Sequence, residues 1–296
     1  MKHAIVILAH NNVNHLIKFI SYFGKECDIY IHYDKNSSIS DNSIKEITRI
    51  KNVVCVYRNY SVHWGGFSLL KCQLFMMCQA VNRSNPDYVH IFSGSDYPIR
   101  SYETFINFFS VNNNLDFMNY AHIPNKKWDR NTFSRFQFFY FFDWFKVRKV
   151  AQRANARVVK LQKRLHIKRR IPDNYDCLYG GSQWMSLKGS TVSFLLQHLS
   201  KNRAFYRRLK FTFAAEEVLI QTVLLNLLGD KNVFPNSMRF IRWKYENNNR
   251  PAVLGVEHFK YLVDCNSLFA RKFEMGVSDG LINESTCKSS INLIQH

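Results

Sequence analysis

The 296-residue chain is 46% hydrophobic and carries 41 Lys+Arg against 22 Asp+Glu, a formal net charge of +19. That length suits one large α/β domain or two intimate halves, and the composition supplies an ample core, which excludes a disordered chain. No window approaches the ~20 apolar residues that cross a bilayer, and no small-residue cleavage site follows MKHAIVILAHNN, so the chain is expected to stay on the side of the membrane where it was made.

Residues 5–9 read as a first buried strand. Apolar β-rich runs at 29–33, 53–57 and 88–92 follow, separated by helical patterns at 13–23, 43–49 and 67–81. Such alternation predicts a mostly parallel sheet covered on both faces, with ligands at the carboxyl ends of its strands. Those ends carry His10, Asp34 and the turn SGSDYP at 93–98. Neither G-x-G-x-x-G nor G-x-x-x-x-G-K-[ST] occurs, so dinucleotide and P-loop readings lose their support. From residue 101 the pattern is less regular. It predicts a helix at 102–109, a short strand at 117–120, a turn plus strand in GGSQWMSL (180–187), helices at 190–199 and 216–228, and a strand in RFIRW (239–243). No repeat or low-complexity linker interrupts it, which points to one compact unit. Seven cysteines, odd in number and without C-x-x-C spacing, argue against a disulfide framework and a zinc site.

The positive charge is concentrated. Between Lys146 and Arg170 stand eleven Lys or Arg and no acid, with Val147, Val150, Ala154, Val158, Leu161 and Leu165 spaced as a helical stripe. This follows the aromatic run FQFFYFFDWF (136–145), and together they form a basic insertion at about 136–170. A basic helix with an apolar stripe fits an anionic membrane surface, or a solvated helix packing its stripe on the core. Nucleic acid is not expected, since no binding module accompanies the charge.

The candidate chemistry lies at the strand ends and in the last third. Sheets of this kind often hold a diphosphate through a divalent metal on Asp-x-Asp, yet no D-x-D occurs, and Asp96 before Tyr-Pro equally suits a turn-forming side chain. Without a metal, a leaving diphosphate needs fixed cations; Arg250 in NNNRPAVL and Lys272 in LFARKF are of the right type, though by themselves they read as surface charges of a basic protein. Glu216 and Glu217 open an apolar helix, where acids favour the helix dipole; one of them in carboxylate form could equally serve as a general base. Trp243 and Tyr245 alternate on the predicted last strand and are expected to face the same side, as core or as flat surfaces for a sugar.

In order and spacing, AEEVLIQT (215–222), RFIRWKY (239–245) and LFARKF (268–273) resemble glycosyltransferase family 14, the core-2/I-branching β-1,6-N-acetylglucosaminyltransferases and the peptide-O-xylosyltransferases. VHWGGFSLL (62–70), NLDF (114–117) and GGSQWMSL extend the resemblance over most of the chain except the basic insertion. It implies a single GT-A-type α/β domain, a UDP-sugar donor, inversion at the transferred sugar and no metal cofactor. Glu217 falls at the family's catalytic glutamate, with Ala215 and Glu216 in place of its Pro-Asp. Asp34, in Ile-His-x-Asp, falls where the uridine is contacted, and His10 ends the first strand as in the relatives. Arg250 and Lys272 fall at the diphosphate clamp, and Asp96, Asp116, Trp243 and Tyr245 near the acceptor. Residues 1–100 would then form a nucleotide-sugar-binding half and 101–296 an acceptor and catalytic half. The expected donor sugar is N-acetylglucosamine, with xylose, galactose and glucuronic acid as alternatives, and the acceptor a glycan or lipid-linked oligosaccharide. A bacterial cytoplasmic enzyme, peripheral on the inner face of the membrane through 136–170, fits the cysteine usage. The alternative of another class is a non-catalytic basic module binding membrane or nucleic acid.

Overall fold

The computed structural model describes residues 1–124, 133–247 and 249–283. The first part runs β1 (His3–Ala9), α1 (Val13–Ile20), β2 (Cys27–Tyr33), α2 (Asp41–Thr48), β3 (Val53–Tyr57), α3 (Phe67–Ser84), β4 (Tyr88–Ser93), β5 (Asp96–Pro98) and α4 (Tyr102–Val111). Then come β6 (Asp116–Met118), β7 (Ala121–Ile123), α5 (Ser134–Gln137), α6 (Arg148–Arg164), β8 (Leu178–Gly180), β9 (Met185–Lys188), α7 (Gly189–Lys201) and α8 (Arg203–Arg208). The chain ends through α9 (Leu219–Leu228), β10 (Val233–Phe234), β11 (Arg239–Ile241), α10 (Phe259–Asp264) and β12 (Phe269–Arg271).

Seven strands form the main sheet in the order β10-β6-β9-β4-β1-β2-β3, with β9 antiparallel to both neighbours and the rest parallel. Strand alternation divides β1 between two cores. Ala4, Val6 and Leu8 pack with Leu70 and Met76 of α3 and Val192 and Leu195 of α7, while Ile5, Ile7 and Ala9 pack with Leu16 and Phe19 of α1 and Phe105 and Phe109 of α4. The expected parallel sheet covered on both faces is therefore present. Residue 100 marks no structural boundary, because β9 pairs with β4 and the small sheet β11-β12-β5 ties Asp96–Pro98 to the last third. All six cysteines among the described residues are free; Cys287 lies outside them.

The last predicted strand is shorter than expected. β11 pairs with β12 only as far as Ile241, after which Arg242 turns to bond Glu246, so Trp243 and Tyr245 sit in a loop rather than in alternation on a strand. The predicted helix at 216–228 splits into a 3-10 turn, Ala215–Glu217, and α9.

Of the two facings open to the basic insertion, the structure shows the outward one. α6 buries Ala151, Asn155 and Gln162 and leaves Val147, Val150, Leu161 and Leu165 exposed. Its inward face is polar because it grips extended backbone: Asn155 Oδ1 accepts from Phe141 N at 2.6 Å, and Gln162 bonds both Phe139 N (2.8 Å) and Phe139 O (3.0 Å). Backbone groups buried by a helix need such partners. The apolar stripe does not enter the core. Among the described residues no helix is long and apolar enough to cross a membrane.

Candidate active site

The carboxyl ends of β1, β2 and β4 lie side by side. Asp34 N donates to Ala9 O at 2.8 Å, and Gly94 N to Leu8 O at 3.0 Å, where a Cβ would meet that of Ala9 at only 3.0 Å. Glycine thus permits the close approach of the SGSD turn to β1. Asp34 is buried and accepts from Asn36 N at 2.8 Å, which shapes its own turn. Asp96 is fully buried; its carboxylate takes Ser93 N at 2.8 Å and Ser93 Oγ at 3.0 Å. It is a turn-holding group that also faces the Arg271 guanidinium at 3.6 Å.

The small sheet brings the cations to this edge. β12 runs antiparallel to β5, placing Arg271 opposite Asp96 and Lys272 just beyond. Crowding by protein, then the charge on Lys272, lowers the His10 pKa against the opposing pull of Asp34. His10, Asp34 and Lys272 thus share one electrostatic neighbourhood. Lys272 is ion-paired with Glu274. The loop carrying Arg250 returns alongside, with Ala252 O accepting from Lys272 N at 3.4 Å and Leu254 N donating to Lys272 O at 2.8 Å. Arg250 is exposed and makes no hydrogen bond or ion pair with the described residues. Trp243 and Tyr245, 58% and 70% exposed, project from the same loop.

Glu217 reaches this region through the GGSQW segment. Its carbonyl accepts from Gly181 N at 2.8 Å, Gln221 Nε2 donates to Ser182 O at 2.9 Å, and Trp184 lies under the Arg271 guanidinium at 4.2 Å. The two glutamates of the turn differ sharply. Glu216 is 4% exposed, and burial first, then the Glu217 charge, pushes its carboxyl up to about 8. The Glu217 side chain is 32% exposed and pairs with Arg135, Nη1 to Oε2, at 3.3 Å. Glu217 is thus the open, cation-paired member of the two and Glu216 the enclosed one.

Asp116 is not brought to this region. As the first residue of β6 it lies at the amino end of the strands, where its carboxylate accepts from Lys188 N at 2.7 Å and Thr191 Oγ1 at 2.8 Å and anchors the start of α7. The antiparallel β9 delivers Lys188 there.

Sequence reasoning passed over Arg135, Arg271 and the role of Trp64, whose ring lies 3.9 Å beneath the Arg148 guanidinium. VHWGGFSLL contains Trp64 and LFARKF contains Arg271; nothing local marks Arg135, because Glu217, with which it pairs, is 82 residues away. Beside Trp64 a cavity of about 270 Å³ opens between the first turn of α3 and the insertion, lined by Ser61, His63, Lys71, Asp143, Lys210 and Thr212 among others. Asp143 Oδ1 accepts from Ser68 Oγ at 2.6 Å and its carboxylate from Ser68 N at 3.2 Å, so the insertion supplies an anionic cap to α3. Among the described residues no cluster of three or more His, Cys, Asp or Glu is arranged to hold a metal ion.

The family model of the Core-2/I-Branching enzyme matches residues 6–263. Xylosyltransferase 1 of Homo sapiens is 24% identical over 312 residues, covering 95% of this chain and 30% of that protein. Xylosyltransferase 2 of Homo sapiens is 25% identical over 283 residues, covering 86% of this chain and 29% of that protein. The chain thus spans about 30% of the length of these curated relatives. Among solved structures, the apo-form glycosyltransferase GlyE of Streptococcus pneumoniae TIGR4 is similar over 98% of this chain and 60% of that one, at a TM-score of 0.39 and 11% identity. S. aureus TarS 1–349 is similar over 42% of this chain and 37% of that one, at a TM-score of 0.31 and 16% identity. The sheet described above, rather than these distant superpositions, carries the fold. With its model matching most of the chain, the protein belongs to the Core-2/I-Branching enzyme family.

Proposed function

We propose that the protein is an inverting, metal-independent glycosyltransferase that moves a sugar from a UDP-sugar to a hydroxyl of a glycan acceptor. The observation that carries this reading is the half-exposed Glu217, paired with Arg135 and tied through GGSQW to the edge that holds His10, Asp34 and Lys272. Glu217 takes the proton of the acceptor hydroxyl as its oxygen attacks the anomeric carbon, and the bond from that carbon to the diphosphate oxygen breaks with inversion. Arg250 and Lys272 offset the charge on departing UDP, in place of a cation on Asp-x-Asp. Asp34 and His10 hold the nucleotide side, and Trp243 and Tyr245 offer flat faces to the acceptor sugar. Asp96 supports this edge from beneath rather than touching sugar. N-acetylglucosamine is the proposed donor sugar, with UDP-xylose as the second reading, favoured by the xylosyltransferase relatives.

The outward apolar stripe of α6, flanked by exposed Lys149, Arg153, Lys160 and Arg164, supports an anionic membrane surface as the place where the enzyme meets a lipid-linked acceptor. The proposed setting is the cytoplasmic face of a bacterial membrane and synthesis of a surface polysaccharide. A thermal-shift series with UDP, UDP-N-acetylglucosamine, UDP-xylose, UDP-galactose and UDP-glucuronic acid, followed by transfer assays with and without chelator, tests the assignment, because a ligand of the folded state raises Tm. No shift with any nucleotide overturns it in favour of a non-catalytic basic module.

A further inference from the structure

The catalytic turn presents two adjacent carboxyls, and one buried cation among the described residues is paired with them. Arg135 is 4% exposed on α5 and carries its guanidinium to Glu217 Oε2 at 3.3 Å, with the Phe213 ring centroid 5.5 Å away on its flank. Glu216 Oε2, in contrast, is buried without a hydrogen-bond partner. α5 has little freedom to move, because Phe136 is fully buried, Phe136 O accepts from Arg208 Nη2 at 3.2 Å, and Gln137 O accepts from Arg169 N at 2.7 Å.

Two neighbouring carboxyls left to themselves share a proton, and the charge settles on whichever is better solvated and paired. A base that shares its proton with a neighbour is half disabled. Arginine suits the task of breaking that symmetry, since it stays charged at every working pH and its planar fork holds direction as well as charge. Resting on the reading of Glu217 as the base, we propose that Arg135 is a positioning residue: it orients Glu217 toward the acceptor and keeps the negative charge on Glu217 rather than on Glu216. The burial of Glu216 reinforces the division, because an uncharged carboxyl is the cheaper form inside the protein. Arg135 stands directly before the insertion, which caps α3 with Asp143 and covers Trp64 with Arg148, so the insertion adjoins the corner that holds Glu217.

The test compares Arg135→Met, Arg135→Lys and the double variant Arg135→Met/Glu216→Gln, each checked for folding by circular dichroism, using pH profiles of kcat for transfer from the UDP-sugar that the wild type uses. Arg135→Met should lower kcat about tenfold or more with the donor KM unchanged, and move the acidic limb of the profile to higher pH. Arg135→Lys should keep the limb near its wild-type position while losing part of kcat, since its charge remains but its fork is gone. In the double variant the limb should move back toward wild type, because the competing carboxyl is removed. Loss of kcat with no movement of the limb in the Met variant, or a double variant no different from Arg135→Met, overturns the proposal and leaves Arg135 as packing. If Arg135→Met does not fold, a shifted limb in Arg135→Lys overturns it and an unmoved limb with reduced kcat upholds it. A wild type that transfers no sugar from any nucleotide overturns the glycosyltransferase reading and this proposal together, whereas active, unshifted Arg135 variants overturn this proposal alone.

Discussion

Residues 133–170 and residues 242–255 both lie outside the main sheet, yet they use their side chains in opposite ways. The first segment is knitted inward: Arg135 to Glu217, Asp143 to Ser68, Arg148 over Trp64, and Asn155 and Gln162 onto its own backbone. The second is tied chiefly to itself and its near neighbours, through Glu246 with Arg242 and His258 and through Asn247 with Val253 and Glu257, and it points Trp243, Tyr245 and Arg250 outward. A group that must be oriented before substrate arrives is held by buried partners, while groups that complete a site around a ligand stay exposed until the ligand covers them. The insertion adds a third condition, since its inward contacts leave an apolar basic face that is exposed among the described residues.

The largest effect should come from the knitted corner. Glu217→Gln keeps the shape and a hydrogen-bonding oxygen for Arg135 but cannot accept the proton, so transfer should fall by about 10²-fold or more while UDP affinity stays unchanged. Glu216→Gln should be much milder. An active Glu217→Gln beside a dead Glu216→Gln would show that the one-residue register is wrong, and with it the contrast between an open base and a buried neighbour.

The outer face of the insertion comes next, as a loss of membrane affinity rather than of rate. Reversing Lys149, Arg153, Lys160 and Arg164 to Glu changes only exposed positions on α6 and spares Arg148. At ~1 kcal/mol for each basic residue near an anionic surface, the four together are worth about 4 kcal/mol, so affinity for anionic vesicles should drop on the order of a thousandfold, with transfer to a short soluble acceptor retained. High salt should partly reproduce the loss. Deleting residues 136–170 is a different experiment, because it also removes Asp143 and Arg148 and should cost soluble transfer too. Unaltered vesicle binding after the four reversals would refute the membrane role.

The outward loop yields smaller, separable losses. Arg250→Ala and Lys272→Ala should each weaken UDP binding by about 1.5–3 kcal/mol, the scale of a hydrogen bond to a charged group, with little change in Tm. Lys272 must leave Glu274 to serve the ligand, so Arg250→Ala is expected to cost the more of the two. Transfer should persist in saturating chelator; a manganese or magnesium requirement restored stoichiometrically would remove these cations from the role assigned to them.

The sheet and its covering helices were legible because their signals are local: period-two and helical repeats in 5–92 place β1 to β4 and α1 to α3 within a few residues. The insertion was legible as a helix with two facings left open, and the stripe Val147, Val150, Leu161, Leu165 stays outward because backbone groups of Phe139 and Phe141 take Gln162 and Asn155 on the inward face. Trp243 and Tyr245 were misplaced on a strand because the Arg242 and Glu246 pair that ends β11 is invisible to alternation. Asp116 looked like a site residue by motif, yet strand direction sends it to the opposite end of the sheet. His10, Asp34, Lys272 and Glu217 were named from short strings, but what joins them is a contact chain through Trp184 and Arg271 that only the fold assembles.

The smallest predicted effect concerns stability rather than rate, and it isolates the buried member of the glutamate pair. Burial and the Glu217 charge raise Glu216 to about 8, whereas in the unfolded chain it titrates as an ordinary glutamate near ~4.3. Between those values the folded protein keeps a proton that the unfolded chain has released, so the unfolded state binds fewer protons and stability falls as pH rises. The stabilisation is complete below the unfolded value and is lost as pH climbs toward about 8. Glutamine carries no charge at any pH, so Glu216→Gln should flatten this decline. Thermal unfolding followed by circular dichroism at intervals from about pH 5 to about pH 8 measures it. Parallel curves for wild type and variant would mean that the buried carboxyl is ionised like its neighbour, and the division of charge between the knitted and the open side of the turn would have to be abandoned.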